Sequence, residues 1–351
     1  MARATSDYDE SDAKIRPNKR GSRPRSKDRP AHLDAVPGMV TAVDRGRYTV
    51  LVSDTDAGDG GVGVHGERVV TAMRARELGR KGIVVGDDVA LVGDVSGSPD
   101  ALARVVRVEP RRTLLRRTAD DTDPVERAIV ANADQLVVVS ALANPEPRPR
   151  LIDRCLVAAY DAGMSPLLAL TKADLADPVP FLQDYAPLEV PAVVTSTTET
   201  GGTDGLEGLR DALRGRVSVL VGHSGVGKST LVNALVPDAY RAIGVVNVVT
   251  GRGRHTSTSA VALRLPDRDG WVIDTPGIRS FGLAHVDPER IITHFPDLEA
   301  GTDECPRGCS HDEEECGLDA WVASGRAGPA GASRLESLRR LLRTRQLQSG
   351  D

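Results

Sequence analysis

Apolar and polar positions fall into two regimes along this chain. Between Gly38 and Val108 the apolar residues come in short β-rich runs: GMVTAV, RYTVLVS, ERVVTAM, DDVALVGD and LARVVRVEP. Turns rich in Gly, Asp and Ser, such as SDTDAGDGG and GSPD, separate them. Short strands at this spacing predict a small barrel or sandwich, and a five-stranded β-barrel of the OB type fits the size. From residue 113 onward the pattern changes. QLVVVSAL is Val-rich and uncharged, as a strand buried on both faces requires. PRLIDRCLVAAYDAG reads as a helix and SPLLALTKADL as a strand, with PAVVTSTTETGG, GLEGLRDALRG, VSVLVGHSGVGKSTLVNALV and WVIDTPG following. Strands alternating with helices predict a parallel α/β sheet. The last segment, SRLESLRRLLRTRQ, predicts an amphipathic helix with Leu335, Leu338 and Leu342 on one face and a solvated basic face opposite.

With 351 residues the chain has room for two or three domains. The pattern divides it into a disordered basic tail (1–34), the OB-type barrel (35–112), an α/β domain (113–284) and a small, mostly helical C-terminal domain (285–351). No apolar run reaches the ~18 residues of a membrane span, and the polar, charged N-terminus does not read as a secretory signal. The net charge of −5 conceals a basic segment, KIRPNKRGSRPRSKDRP, with eight basic side chains against the single acid Asp28. Such a segment cannot bury enough surface to order itself. It reads either as a solvated tail or as a flexible arm that neutralises nucleic-acid phosphates. Tyr48 is the one obvious aromatic in the barrel region, so RNA contact there would rest on charge and shape rather than base stacking.

The strongest local signal is GHSGVGKS, which matches the phosphate-loop pattern in full and sits between an apolar strand and a helix. Gly222, Gly225 and Gly227 let the backbone curl. The loop from Gly222 through His223, Ser224, Gly225, Val226 and Gly227 to Lys228, Ser229 and Thr230 can then aim its N–H groups at phosphate oxygens. Lys228 offers a charge to the β- and γ-phosphates, and Ser229 a hydroxyl to Mg2+. WVIDTPG supplies Asp274 for the Mg2+ surroundings and Gly277 for the γ-phosphate. In the intervening loop, RGRHTSTS, Thr256 is the candidate for the γ-phosphate and Mg2+ contact, with Thr258 as the alternative.

LALTKAD chooses the base. Its strand delivers Thr171, Lys172, Ala173 and Asp174, and the Asp174 carboxylate can accept from guanine N1–H and the exocyclic amine, a donor pair adenine lacks. The stem of Lys172 can lie over the base, and Ser196 or Thr197 can support it from the other side. The order is unusual: the base motif precedes both the phosphate loop and DTPG, so the motifs are circularly permuted. Four cysteines are present, three of them within CPRGCSHDEEEC. Cys305, Cys309, His311 and Cys316 supply three sulfurs and an imidazole, a closed tetrahedral set suited to one structural Zn2+ in a reducing cytosol. A region so small and polar is expected to lack a core without metal, with its acidic side chains solvated.

Together these residues resemble the RsgA family, also called YjeQ, the circularly permuted GTPases that depend on the small ribosomal subunit. DTPGIRSFGL and HFPDLE are similar to that family as well. The resemblance implies an OB-fold domain, a cytoplasmic GTPase stimulated by the small subunit, contact with rRNA, a role late in maturation of that subunit, and GTP or GDP with Mg2+ as ligand. A monomer without membrane attachment is expected. Thr171 stands where Asn is usual, and Asn normally ties the base motif to the phosphate loop, so weaker guanine affinity is expected. Ile278 stands where Ras-like enzymes carry the water-orienting Gln. His255 is the candidate for that role and is supported by the resemblance, with Arg252 and Arg254 as candidate cations. Two rival functions are a GTP-dependent RNA scaffold and a metabolic P-loop kinase or ATPase.

Overall fold

The computed structural model describes residues 32–53, 66–78, 82–117, 127–198, 202–237, 260–275, 283 and 286–346. The first strands follow from side chains that turn inward at every second position. They are β1 (Val36–Asp44), β2 (Arg47–Ser53), β3 (Glu67–Arg74), β4 (Asp88–Gly93) and β5 (Ala103–Val108). In β2, Tyr48, Val50 and Val52 are buried and the positions between them are not. The strands pair in the order β1-β2-β3-β5-β4, and β4 returns to β1 along Val36–Met39, which closes a five-stranded barrel. Pairing is antiparallel except between β3 and β5. Val40, Val50, Val70, Leu91 and Val105 fill its interior.

A hairpin of β6 (Leu114–Arg117) and β7 (Arg127–Ala131) leads out of the barrel, an element the strand pattern did not separate from its surroundings. The junction is tied by polar groups. Arg111 donates to both carboxylate oxygens of Asp87, at 2.6 and 2.8 Å. The Asn132 side chain donates to the Gly86 carbonyl at 2.9 Å. Gly86 has φ +86°, and a Cβ there would lie 2.0 Å from the Ala131 carbonyl oxygen, so only glycine fits.

The second sheet is built from β8 (Gln135–Ala141), β9 (Ser165–Thr171), β10 (Ala192–Val194), β13 (Val217–Val221), β14 (Val261–Arg264) and β15 (Trp271–Asp274). A short pair, β11 (Ser196–Thr197) and β12 (Thr203–Asp204), lies apart from it. The strand order is β10-β9-β8-β13-β15-β14, parallel throughout except for β14. Every residue of β8 is buried, as its uncharged run predicts. Helix α1 (Pro149–Asp161) packs in the core on one face of the sheet, and α3 (Leu206–Leu213) and α4 (Lys228–Leu235) in the core on the other. The helix α2 (Val179–Tyr185) follows β9. Barrel and sheet are continuous: β1 pairs with β14 at Ala42 and Val261, and Arg264 of β14 is ion-paired with Glu67 of β3 at 2.5 Å.

The C-terminal region carries helices α5 (Pro288–Ile292), α6 (Pro296–Glu299), α7 (Gly317–Ala323) and α8 (Gly331–Gln346). Two expectations change here. The region does not depend on metal alone for a core. Phe295, Leu298, Leu318, Leu338 and Leu341 are buried in one cluster with Leu156 of α1 and Leu168 of β9. Nor is the basic face of α8 uniformly solvated: Arg334 is buried, Arg339 and Arg340 are half-buried and Arg343 is exposed. Arg334 pairs with Asp297 at 2.8 Å, Arg340 with Asp153 of α1 at 3.1 Å, Arg339 with Asp319 at 2.6 Å and Arg343 with Asp312 at 2.7 Å. The leucines expected on the inward face, Leu335, Leu338 and Leu342, are all buried.

Candidate functional site

Parallel strands deliver their C-terminal ends to one side of a sheet, where ligands of open α/β folds bind. Register places those ends together here. Ala141 of β8 is opposite Thr171 of β9, Val221 of β13 opposite Val138, and Asp274 of β15 opposite Leu220. The loop after β13 is therefore flanked by the base motif on one side and by Asp274 on the other.

That loop is wrapped as its glycines allow. Gly225 and Gly227 have φ of +85° and +89°, and Gly227 caps α4 in the left-handed conformation. Val226 is fully buried and anchors the turn, while Ser224, Gly225, Ser229 and Thr230 face solvent. Gly222 and His223 are half-buried. The ammonium of Lys228 forms an ion pair with Asp274 and lies 3.5 Å from the Thr275 carbonyl. Thr275 in turn donates its hydroxyl to the Leu220 carbonyl at 2.7 Å, fixing the end of β15 against the strand that precedes the loop. Burial holds the His223 imidazole below its ordinary value; the Ser224 carbonyl opposes this, and the charges of Arg148 and Lys172 add to it.

The base motif is physically joined to this loop. The Thr171 hydroxyl donates to the Val226 carbonyl at 2.6 Å. The tie expected of an asparagine is thus made by threonine. Lys172, at φ +60°, hydrogen-bonds through its ammonium to the Asn144 carbonyl, and a Cβ added at Gly225 would lie 3.6 Å from Pro145 Cδ. Sequence reasoning missed this β8–α1 loop, although its Asn-Pro dipeptide between a strand and a helix is a turn signal. Asp174 is exposed, not buried as a desolvated reader of the base would be, and it accepts from the Thr197 N–H at 3.2 Å. The Ala173 N–H donates to Thr195 at 3.2 Å, and Ser196 pairs with Asp204 in the β11–β12 ladder. The base motif and the Ser196–Thr197 segment therefore lie side by side. Gly277, His255, Thr256, Thr258, Arg252, Arg254, Ile278 and the basic tail lie outside the described residues.

A second constellation lies beside α8. The ligand atoms of Cys305, Cys309, His311 and Cys316 all fall within 4.8 Å of one another. Cys305 Sγ is 3.6 Å from His311 Nδ1 and 4.0 Å from Cys316 Sγ, and Cys316 Sγ is 4.0 Å from the same nitrogen. The edge of a tetrahedron with ~2.3 Å metal–sulfur bonds is roughly 3.8 Å, so the donor set fits one Zn2+. Burial raises the thiols of Cys305 and Cys309, the latter to about 12, and lowers His311. Glu313, Glu314 and Glu315 are exposed, as expected of solvated acids, while Asp312 is half-buried. Glu313 accepts from the Ser310 N–H and hydroxyl, which hold it down at about 2, and Asp312 pairs with Arg343.

Residues 108–284 match the family model described as RsgA GTPase. The chain is 39% identical over 270 residues to the small ribosomal subunit biogenesis GTPase RsgA of Pseudomonas aeruginosa, covering 74% of this chain and 75% of that one. Its fold is similar to the crystal structure of YjeQ from Thermotoga maritima, at 28% identity with a TM-score of 0.60, across 89% of this chain and 99% of that one. It is also similar to YloQ, described as a circularly permuted GTPase, with a TM-score of 0.59 at 22% identity across 91% and 98%; that likeness bears on the fold alone.

Proposed function

This chain belongs to the RsgA GTPase family and is a GTP hydrolase, and from that premise we propose that it acts in late maturation of the small ribosomal subunit, binding its rRNA and coupling its own release to the nucleotide state. The observation that carries the site assignment is the bond from Thr171 to the Val226 carbonyl. A base motif encoded before the phosphate loop is thereby held against it, as a single nucleotide spanning both requires.

In this reading the backbone from Gly222 to Thr230 cradles the phosphates, and Lys228 exchanges its Asp274 partner for the β- and γ-phosphates. Ser229 and Thr256 would hold Mg2+, which would supply charge neutralisation on the phosphates. Asp274 and Gly277 complete that side. Asp174 accepts from the guanine edge, Lys172 covers the ring, and Ser196 supports it. The exposed position of Asp174 suits a carboxylate that the base itself closes over. Hydrolysis is in-line attack by water, and catalysis is positioning plus charge. Ile278 cannot orient that water, so His255 takes the role and intrinsic turnover is slow. Cys305, Cys309, His311 and Cys316 would hold one Zn2+ that cross-links the loop before α7 and carries no chemistry.

The test is GTP turnover by the full chain with and without purified small subunits. Stimulation of at least ten-fold is expected; equal rates would favour a scaffold whose hydrolysis is incidental.

A further inference from the structure

The described residues of the metal cluster come from a loop whose backbone is strained at one ligand. His311 has φ +68°, a left-handed conformation that is strained for a non-glycine residue, and it is largely buried. Something outside the loop must hold it. The Nε of Arg339, on α8, donates to the His311 carbonyl at 2.9 Å. The two remaining guanidinium nitrogens grip Asp319 as a fork, at 2.9 and 2.6 Å. Asp319 lies in the first turn of α7, and the residue capping that helix is Cys316, whose carbonyl accepts from the Asp319 N–H at 3.2 Å. A single planar group therefore touches the backbone of one ligand and the helix turn that begins at another. The Arg339 side chain is only 15% exposed.

We propose that Arg339 is the positioning residue of the metal centre: it fixes His311 and the start of α7 in one frame, so that Nδ1 and the Cys316 sulfur face the same ion. This inference rests on reading the Cys–His cluster as a zinc site. The claim is geometric: a planar fork can serve a carbonyl and a carboxylate at once and an ammonium cannot. Outer partners of this kind typically change metal affinity by about 10–100-fold when removed. Arg326 is an internal control. It pairs with Glu304 at 2.7 Å and stacks over Trp321 in the same region, yet among the described residues none of its contacts is to the backbone of a ligand residue.

Zinc release from the full chain is followed with a colorimetric chelator, 4-(2-pyridylazo)resorcinol, and the ligand field with the absorption bands of the Co2+-substituted protein. Wild type should carry one zinc per chain; failure to do so would remove the zinc reading itself. Arg339→Ala should release zinc about ten-fold faster and shift the Co2+ bands, and Arg339→Lys should leave release fast. Arg326→Ala should behave as wild type. Release at the wild-type rate in Arg339→Ala, full rescue by Lys, or equal acceleration in Arg326→Ala would each overturn the proposal. Should Arg339→Ala not fold, Asp319→Asn weakens the same fork and should speed release a few-fold; an unchanged rate there also overturns it.

Discussion

At the scale of the residue, the Thr171 hydroxyl decides whether two halves of a site meet. Its partner, the carbonyl of the fully buried Val226, has no access to solvent, so removing the donor costs about 1–3 kcal/mol of desolvation. Thr171→Val should weaken GTP binding about ten-fold while Thr171→Asn preserves it, as measured by titration with a fluorescent GTP analogue; wild-type affinity in the valine variant would count against the tie. His223 gives a pH signature. Its folded-state value lies below the ordinary 6.5 because of burial, so the folded loop prefers the neutral ring. As pH falls through about 6.5 the unfolded chain takes up the proton first, and stability present above that pH is lost below it. Melting temperature should therefore drop from pH 7 to pH 5.5 more steeply in wild type than in His223→Gln. Equal slopes would show that other groups dominate. The phosphate loop was legible in sequence because strand, glycines and helix are contiguous. Thr171 as a tie, and Asn144 as the acceptor for Lys172, were not, because each bond joins residues far apart in the chain.

Element by element, periodicity proved a good guide to what lies inside and a poor one to what lies outside. The leucines of α8 were readable as an inward face. The burial of Arg334 and half-burial of Arg339 and Arg340 were not readable, because their partners, Asp297, Asp319 and Asp153, belong to other segments. The β6–β7 hairpin was missed for a related reason: its strands are short, and burial of Leu115 and Val130 depends on the neighbouring core. α8 is held mainly by its apolar face. Leu338 is fully buried, and Leu338→Ala should cost about 2–5 kcal/mol, read as a lower midpoint in urea unfolding. A change below ~0.5 kcal/mol would mean that the ion pairs alone hold the helix.

For the molecule as a whole, the shared core changes what metal loss should do. Phe295, Leu318 and Leu338 share one buried cluster with Leu156 of α1, a set of contacts made by apolar side chains rather than by the cysteines. Stripping zinc with a strong chelator should raise amide hydrogen exchange across 305–316 and leave protection in β8 and the inward face of α8. Loss of protection throughout 285–346 would restore the picture of a metal-dependent domain. The barrel and the α/β sheet were each readable from composition and alternation, but their joining at Ala42 and Val261 was not, since a single backbone pairing leaves no mark on either pattern.

That joining has a consequence for solution behaviour. An open sheet ordinarily ends in a row of unused amide and carbonyl groups, a template onto which a foreign chain can zip. Here one margin is β10, three residues long, and the other is β14, four residues long, met by the barrel at Val261 and gripped through Arg264 by Glu67. The barrel's own rim closes on itself. Among the described residues, neither margin of the sheet offers a stray strand a long unpaired template.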